Sequence, residues 1–371
     1  ITSERMDNKY FTFDDGVQVK VPFMPNEQQA KALNMMDKFI RSGETSMTLS
    51  GYAGTGKTSI MQMLQAKERR EGVDMIFTAT TNKAVAVLKK KVGNAMTLNK
   101  AFGINVEVDS SKKYDAKNLI NNVRDENKIH FGSVVVIDEA SMINEQNYQI
   151  LNDIARDMGA KIIYVGDSAQ LAPVNETRIS KVFRDNEGRT VTELTKVERT
   201  DDNAILKEAT DVRNGQGLSG VSSFNSEGKG VAYVKPQQKK EIGDIVRHFA
   251  PELTKDPDSF KIIAYTNAKV AAYNEAMRKT LGYTGNVPRV GEPIMGYVNY
   301  GYDHGQYKFI NSESYKVVSV SPEVKMAFAL NGKTYETTGN RISIEDPNGK
   351  VDTFNFIDVK GNTNNRRVAL M

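Results

Sequence analysis

Between Gly51 and Thr58 the chain reads GYAGTGKT, a match to G-x-x-x-x-G-K-[ST]. Glycines in such a run let backbone N–H groups turn inward as a nest, and a helix start behind them adds positive potential. The stretch is suited to a phosphate. Lys57 stands where an ammonium neutralises the β and γ phosphates of a nucleotide, and Thr58 where a hydroxyl ligates Mg²⁺. Gly51, Gly54, Thr55, Gly56, Lys57, Thr58 and Ser59 therefore form the expected ATP-binding set. Further on, VVVIDEAS ends an apolar run in Asp138 and Glu139. Two carboxylates at the end of a buried strand face the sheet edge where ligands of α/β folds lie. Asp138 is the expected second Mg²⁺ ligand, and Glu139 the base that orients and deprotonates an attacking water. A pair of solvated acids is the plainer alternative, and the phosphate loop upstream argues against it. In YVGDSAQLAPV, Gln170 follows a Gly-Asp strand end. Its amide both donates and accepts, so it can sense a γ-phosphate and pass that state on.

These groups need a scaffold, and the chain supplies an alternation of strands and helices. SMTLS (46–50), MIFTAT (75–80), SVVVIDEA (133–140) and KIIYVGD (161–167) read as strands. Helices fit PNEQQAKALNMMDKFIRSG, the segment from Lys57, NKAVAVLKKKVG and NEQNYQILNDIARDMGA. Apolar strands alternating with helices predict a parallel sheet covered on both faces. Before them, YFTFDDGVQVKV reads as a β-hairpin around DDG. After about residue 200, NAILKEATDVRNGQ and AKVAAYNEAMRKTLG read as helices around a strand KIIAYTN (261–267), which suggests a second α/β domain. From about residue 290, YKVVSV, MAFAL-NG-KTYETT and ISIEDPNGKVDTFNFIDV are short alternating strands joined by NG and PNG turns, a small β-barrel-like region.

The order and spacing of the three site motifs resemble motifs I, II and III of superfamily 1 helicases. LTKVERTDDNAILKEATDVRNGQ (194–216) resembles the phage Dda helicases of superfamily 1B, the group that includes RecD-like enzymes. The resemblance runs from about residue 25 to 320. It implies an α/β fold of two RecA-like P-loop domains with a small inserted element and a C-terminal small β-barrel-like region. The corresponding boundaries are a hairpin extension at 1–24, a first motor domain at 25–200 with an insertion at about 103–132, the first part of a second motor domain at 201–292, and a β-rich region at 293–371. Gln29 matches a glutamine that reads adenine, although Asn26 and Gln29 also form a capping box. Arg199 matches an arginine that approaches the γ-phosphate from the domain interface and stabilises transition-state charge. A surface arginine beside Glu198 is the alternative. Lys57, Glu139, Gln170 and Arg199 are thus the expected catalytic set, with ATP as substrate and Mg²⁺ held by Thr58 and Asp138.

Single-stranded or fork DNA is the implied partner, crossing the top of both motor domains. Thr81, Asn82 and Lys83 in TATTNKA, Thr97, Asn99 and Lys100 in MTLNKAFG, and Thr266 and Asn267 match its contact positions. Hydroxyls and amides suit phosphate and sugar, and lysines release counterions. Histidine is the family's residue where Asn82 and Asn99 stand, so the sequence departs there twice. Tyr114 sits in the insertion, as a strand-separating pin or as packing beneath it. Tyr297, Tyr300, Tyr302 and Tyr307 surround a Gly-rich loop, either as a surface for a replication or repair protein or as barrel core.

Bulk properties bound the rest. The 371 residues suffice for two or three domains, cysteine is absent, and the net charge is +4. Disulfides and thiolate metal sites are excluded, no apolar run suits a membrane span, and an intracellular, cytoplasmic setting is expected. The chain opens on Ile1 and reaches Met371 without T-x-H-K-[AS]-Q-G or Y-V-A-x-T-R, as a fragment of a longer protein would. The motif set predicts ATP-driven closure of two domains and stepping along DNA, 5′ to 3′ by resemblance. The competing expectation is an ATP-gated binding or scaffold module that grips without processive motion. GQGLSG near residue 217 is not LSGGQ, which argues against a transporter ATPase.

Overall fold

The structure is a computed structural model that describes residues 8–103, 128–173, 176–184, 190–198, 204–235, 237, 239–256, 259–296, 300–303, 306–309 and 313–358. The chain separates into two compact units, Ile1–Leu218 and Ser219–Met371.

In the first unit, β1 (Lys9–Thr12) and β2 (Gln18–Val21) form the hairpin expected around DDG. Helix α1 (Glu27–Ile40) starts at a capping box: the Asn26 side chain accepts from Gln29 N–H at 2.8 Å, and the Gln29 side chain accepts from Asn26 N–H at 3.0 Å. Then follow β3 (Ser46–Gly51), α2 (Lys57–Arg70), β4 (Met75–Ala79), α3 (Asn82–Val92), β5 (Met96–Thr97), α4 (Leu98–Phe102), β6 (Val134–Asp138), α5 (Glu145–Met158), β7 (Lys161–Gly166), β8 (Val191–Leu194) and α6 (Ala204–Arg213). Six strands form one sheet in the order β5-β4-β6-β7-β3-β8, and every pairing is parallel.

Side-chain alternation along the central strands explains why the sheet needs helices on both faces. Val134 and Val136 of β6, with Ile163 and Val165 of β7, pack into one core with α1, α2, α3 and the hairpin residues Phe11, Phe13, Val19 and Val21. Val135 and Ile137, with Ile162 and Tyr164, point the other way, into a core with α4 and α5. The continuous apolar run VVVI is the signature of a strand buried on both sides. The hairpin is therefore part of the main core.

In the second unit, β9 (Ser223–Phe224) pairs with β10 (Gly230–Val231), followed by α7 (Lys239–Phe249) and α8 (Asn267–Thr280). Then come β11 (Pro293–Met295), β12 (Tyr300–Asp303), β13 (Gln306–Phe309), β14 (Ser314–Val320), β15 (Val324–Leu330), β16 (Lys333–Glu345) and β17 (Val351–Phe356). An antiparallel sheet runs β11-β14-β16-β15 with β17 also on β16, around Tyr315, Val317, Ile342 and Ile344. Its β15–β16 turn is the expected NG pair, with φ of 50° at Asn331 and 74° at Gly332, the left-handed conformations of a tight hairpin. The strand expected at 261–267 does not form. No described strand lies beside it, Ile263 and Tyr265 are fully exposed, and Thr266 caps α8 instead. Among the described residues no helix is long and apolar enough to cross a membrane.

Candidate nucleotide-binding site

The GYAGTGKT loop joins the C-terminal end of β3 to the start of α2. Two of its glycines are required by geometry. Gly56 has φ of +83°, and a Cβ there would lie 2.6 Å from Gln29 Nε2; a Cβ on Gly51 would lie 2.8 Å from Thr55 Oγ1. The Tyr52 carbonyl is the hub of the turn, accepting from Thr55 Oγ1 at 2.8 Å and from Lys57 Nζ at 3.0 Å. Lys57 Nζ also donates to Gly51 O at 2.8 Å, so the ammonium lies folded over its own loop. Burial pushes the Lys57 pKa down, opposed by the charges of Asp167, Asp138 and Glu139. Thr58 and Ser59 stand partly exposed in the first turn of α2.

Two strands away, β6 delivers Asp138 and Glu139 to the same edge of the sheet. Burial raises the Asp138 pKa, whose carboxylate accepts from Glu139 N–H at 2.9 Å. Burial, then the charge of Asp138, raises Glu139 as well. Glu139 holds φ of +56°, uncommon for a residue with a side chain. Between them, β7 ends at Gly166 beside β3 and turns through Asp167 to Gln170, whose Oε1 accepts from Ser141 Oγ at 3.2 Å. Lys57, Asp138, Glu139 and Gln170 thus come from loops at one edge of one sheet. Among the described residues no cluster of three or more His, Cys, Asp or Glu could hold a metal by itself. A Mg²⁺ held by one hydroxyl, one carboxylate and nucleotide phosphates fits the donors present, because Mg²⁺ in phosphate sites takes few protein ligands.

The other expected positions divide. Gln29 is 1% exposed, and its amide is engaged by the capping box and by the Thr55 carbonyl at 3.0 Å. As placed, it holds the underside of the loop. Arg199 lies outside the described residues. The segment before it is tied to the site: Glu198 N–H donates to Gly54 O at 3.2 Å, and Gln28 Oε1 accepts from Thr195 and Lys196 N–H at 2.9 and 3.0 Å. Thr81, Thr97 and Thr266 share one role, each capping a helix by accepting from the N–H three residues on. Thr81 follows β4 and Thr97 ends the neighbouring β5, with Asn82, Lys83, Asn99 and Lys100 in the helix turns behind them. Thr266 and Asn267 lie in the second unit. Tyr114 and Tyr297 fall outside the described residues, and in the β12–β13 ladder Tyr302 stands opposite Tyr307 and Tyr300 opposite Phe309.

One residue at the site was not singled out for a role by the sequence. Arg213, at the end of α6, pairs with the Asp167 carboxylate, and its guanidinium carbon lies 3.7 Å from the centroid of the Tyr52 ring. The signal was present in the ATDVRNG run, but no spacing rule connects that run to a loop so distant in sequence.

A family model described as AAA domain matches residues 24–230, more than half of the chain. Over 286 residues the chain is 30% identical to the ATP-dependent DNA helicase dda of Enterobacteria phage T4, covering 72% of this chain and 60% of that protein. It is 31% identical over 219 residues to the ATP-dependent DNA helicase Pif1 of Bdellovibrio bacteriovorus, covering 54% of this chain and 46% of that one. The chain therefore spans less than two thirds of the length of these relatives. A crystal structure of Pif1 helicase from Candida albicans aligns over 89% of this chain and 82% of that one at a TM-score of 0.42 and 17% identity. By the family match the chain belongs to the AAA-domain family, and its similarity to the Dda and Pif1 helicases is consistent with superfamily 1B.

Proposed function

We propose that the chain is an ATP-hydrolysing DNA translocase and helicase component, in which the first unit binds and cleaves ATP. The observation that carries this reading is the half-buried Lys57 ammonium on its own loop carbonyls, at the sheet edge that also bears Asp138, Glu139 and Gln170. A partly desolvated cation with neutral backbone partners is a ready site for an anion, and phosphate oxygens restore its charge preference. Glu139, with its carboxyl raised in pKa, accepts the proton of the attacking water. Gln170 holds the γ-phosphate side and relays its state through Ser141. Thr58 and Asp138 would hold Mg²⁺, which when bound neutralises charge building on the phosphates. Arg199 follows a segment fastened to the phosphate loop and acts as the arginine finger.

In this reading Thr81, Asn82, Lys83, Thr97, Asn99 and Lys100 line the strand path on the first unit. Their cap hydroxyls accept from helix N–H groups and keep a proton to donate to phosphate. Thr266 and Asn267 of the second unit serve the same strand as part of a second motor domain. Closure around ATP and reopening after hydrolysis give steps on single-stranded DNA, 5′ to 3′ by resemblance.

The deciding experiment is steady-state ATPase with and without single-stranded DNA. The expected outcome is strong stimulation in the wild-type chain and no turnover in Lys57→Ala, which retains DNA binding in the absence of ATP. Turnover indifferent to DNA would favour an ATP-gated scaffold instead. Undiminished turnover in Lys57→Ala would remove the site assignment.

A further inference from the structure

Helix α6 is an unusual neighbour for a nucleotide site. None of its residues is buried, and its apolar Ile205 and Val212 are exposed. Its contact with the site is made at its last residue. The Arg213 side chain is 15% exposed, paired with the 6% exposed side chain of Asp167 and stacked 3.7 Å from the Tyr52 ring centroid. Tyr52 and Asp167 follow the adjacent parallel strands β3 and β7, so this one guanidinium bridges the phosphate loop and the Gly166–Asp167 turn. Asp167 is also fixed from behind, where it accepts from Ala169 N–H at 3.0 Å.

The charge arrangement explains why the bridge matters. Asp167, Asp138 and Glu139 all act on Lys57 from within electrostatic range, and Arg213 acts on it with the opposite sign. Three carboxylates surround the place where a polyanion must sit. Lys57, and Mg²⁺ when bound, would answer Asp138 and Glu139, whereas Asp167 is matched by Arg213. Without Arg213, the Asp167 carboxylate would face the phosphates with no countercharge, in a medium that screens poorly.

We propose that Arg213 is a positioning residue of the nucleotide site, the countercharge that silences Asp167 so that the phosphate loop can accept a triphosphate. The inference rests on the nucleotide-site reading above and assigns a specific electrostatic role within it. Arg213 touches the loop and not the reacting atoms, so its loss acts on affinity and leaves the chemical step nearly intact.

The test is equilibrium binding of a fluorescent ATP analogue with Mg²⁺, together with steady-state ATPase, on the full chain. Arg213→Ala is expected to weaken binding and raise KM about tenfold, with kcat within about threefold of wild type. Asp167→Asn, which removes the charge that Arg213 answers, is expected to bind as tightly as wild type or more so. Arg213→Ala/Asp167→Asn is expected to return to within about threefold of wild type. A merely structural ion pair gives the opposite pattern, with both single variants weakened alike and no recovery in the double variant, and that result overturns the proposal. If Arg213→Ala does not fold, Asp167→Asn decides: a binding loss of about tenfold overturns the proposal, and undiminished binding supports it. Wild-type chain that binds no ATP overturns the nucleotide-site reading and this inference with it. Wild-type binding together with an unchanged Arg213→Ala overturns this inference alone.

Discussion

Glu139 occupies a left-handed backbone conformation at φ of +56°, which costs a residue with a side chain about 1–3 kcal/mol and persists only where surroundings impose it. The imposed turn follows β6 directly and leaves the carboxyl half-buried beside Asp138. Burial first, and Asp138 second, hold that carboxyl above the ordinary glutamate range. A general base works only when deprotonated, so raising its pKa moves the acid limb of turnover toward neutrality. We therefore expect kcat to fall with falling pH through a pKa higher than that of a solvated glutamate. Glu139→Gln should lower kcat by about 10²–10⁴, abolish that limb and keep ATP affinity. A pH–kcat profile of both proteins checks this, and a Gln variant with wild-type turnover would remove Glu139 from the chemistry. The placement of Lys57, Asp138, Glu139 and Gln170 at one sheet edge could be read from sequence, because each belongs to a run that follows or ends a strand. The strained turn at Glu139 and the Arg213–Asp167–Tyr52 bridge could not, since both depend on where separate loops meet.

Around the loop, the hairpin, α1 and α2 are joined by buried charge as well as by apolar packing. Lys67 of α2, fully buried, pairs with Asp37 of α1, with hairpin Asp15 at 2.7 Å and with Glu71 at 3.2 Å. Arg41 reaches Asp37 at 2.5 Å and Glu68 at 3.4 Å. Within this cluster Glu68 is pushed up from 4.5 to about 7, by burial first and by its hydrogen bond with Asp37 second, against the pull of Arg41. Because the folded pKa exceeds the unfolded one, the native state keeps a proton between those values that the unfolded chain releases. Stability should accordingly fall as pH rises from about 4.5 to 7, by about 1–3 kcal/mol. Urea unfolding across that range measures it, and Glu68→Gln should flatten the slope; an unchanged slope would assign it elsewhere. Such a cluster is illegible in sequence, where Asp15, Asp37 and Lys67 look like surface charges on an amphipathic pattern. The elements themselves were more legible. VVVI and KIIYV announced two-sided burial, and the NG turn fixed the β15–β16 hairpin. KIIAY at 261–265 carries the same signal yet forms no strand, because an apolar run becomes a strand only when another strand receives its hydrogen bonds.

The whole molecule is two compact units with separate cores, and their sizes differ greatly. The first encloses two extensive clusters on either face of the parallel sheet, while the second closes around Tyr315, Val317, Ile342 and Ile344. Cooperativity follows shared core, so units without a common core unfold in separate steps. Every described residue of the nucleotide site, Arg213 included, belongs to the first unit. A ligand stabilises only what it binds, by about 2.7 kcal/mol at a hundredfold excess over Kd. Calorimetry of the full chain should therefore show two transitions, the lower one belonging to the smaller core. ATP with Mg²⁺ should raise the upper transition by several degrees and leave the lower one in place, and Lys57→Ala should lose that shift. If ATP moved both transitions together, nucleotide binding would be energetically shared between the units, and residues beyond Leu218 would contribute to it.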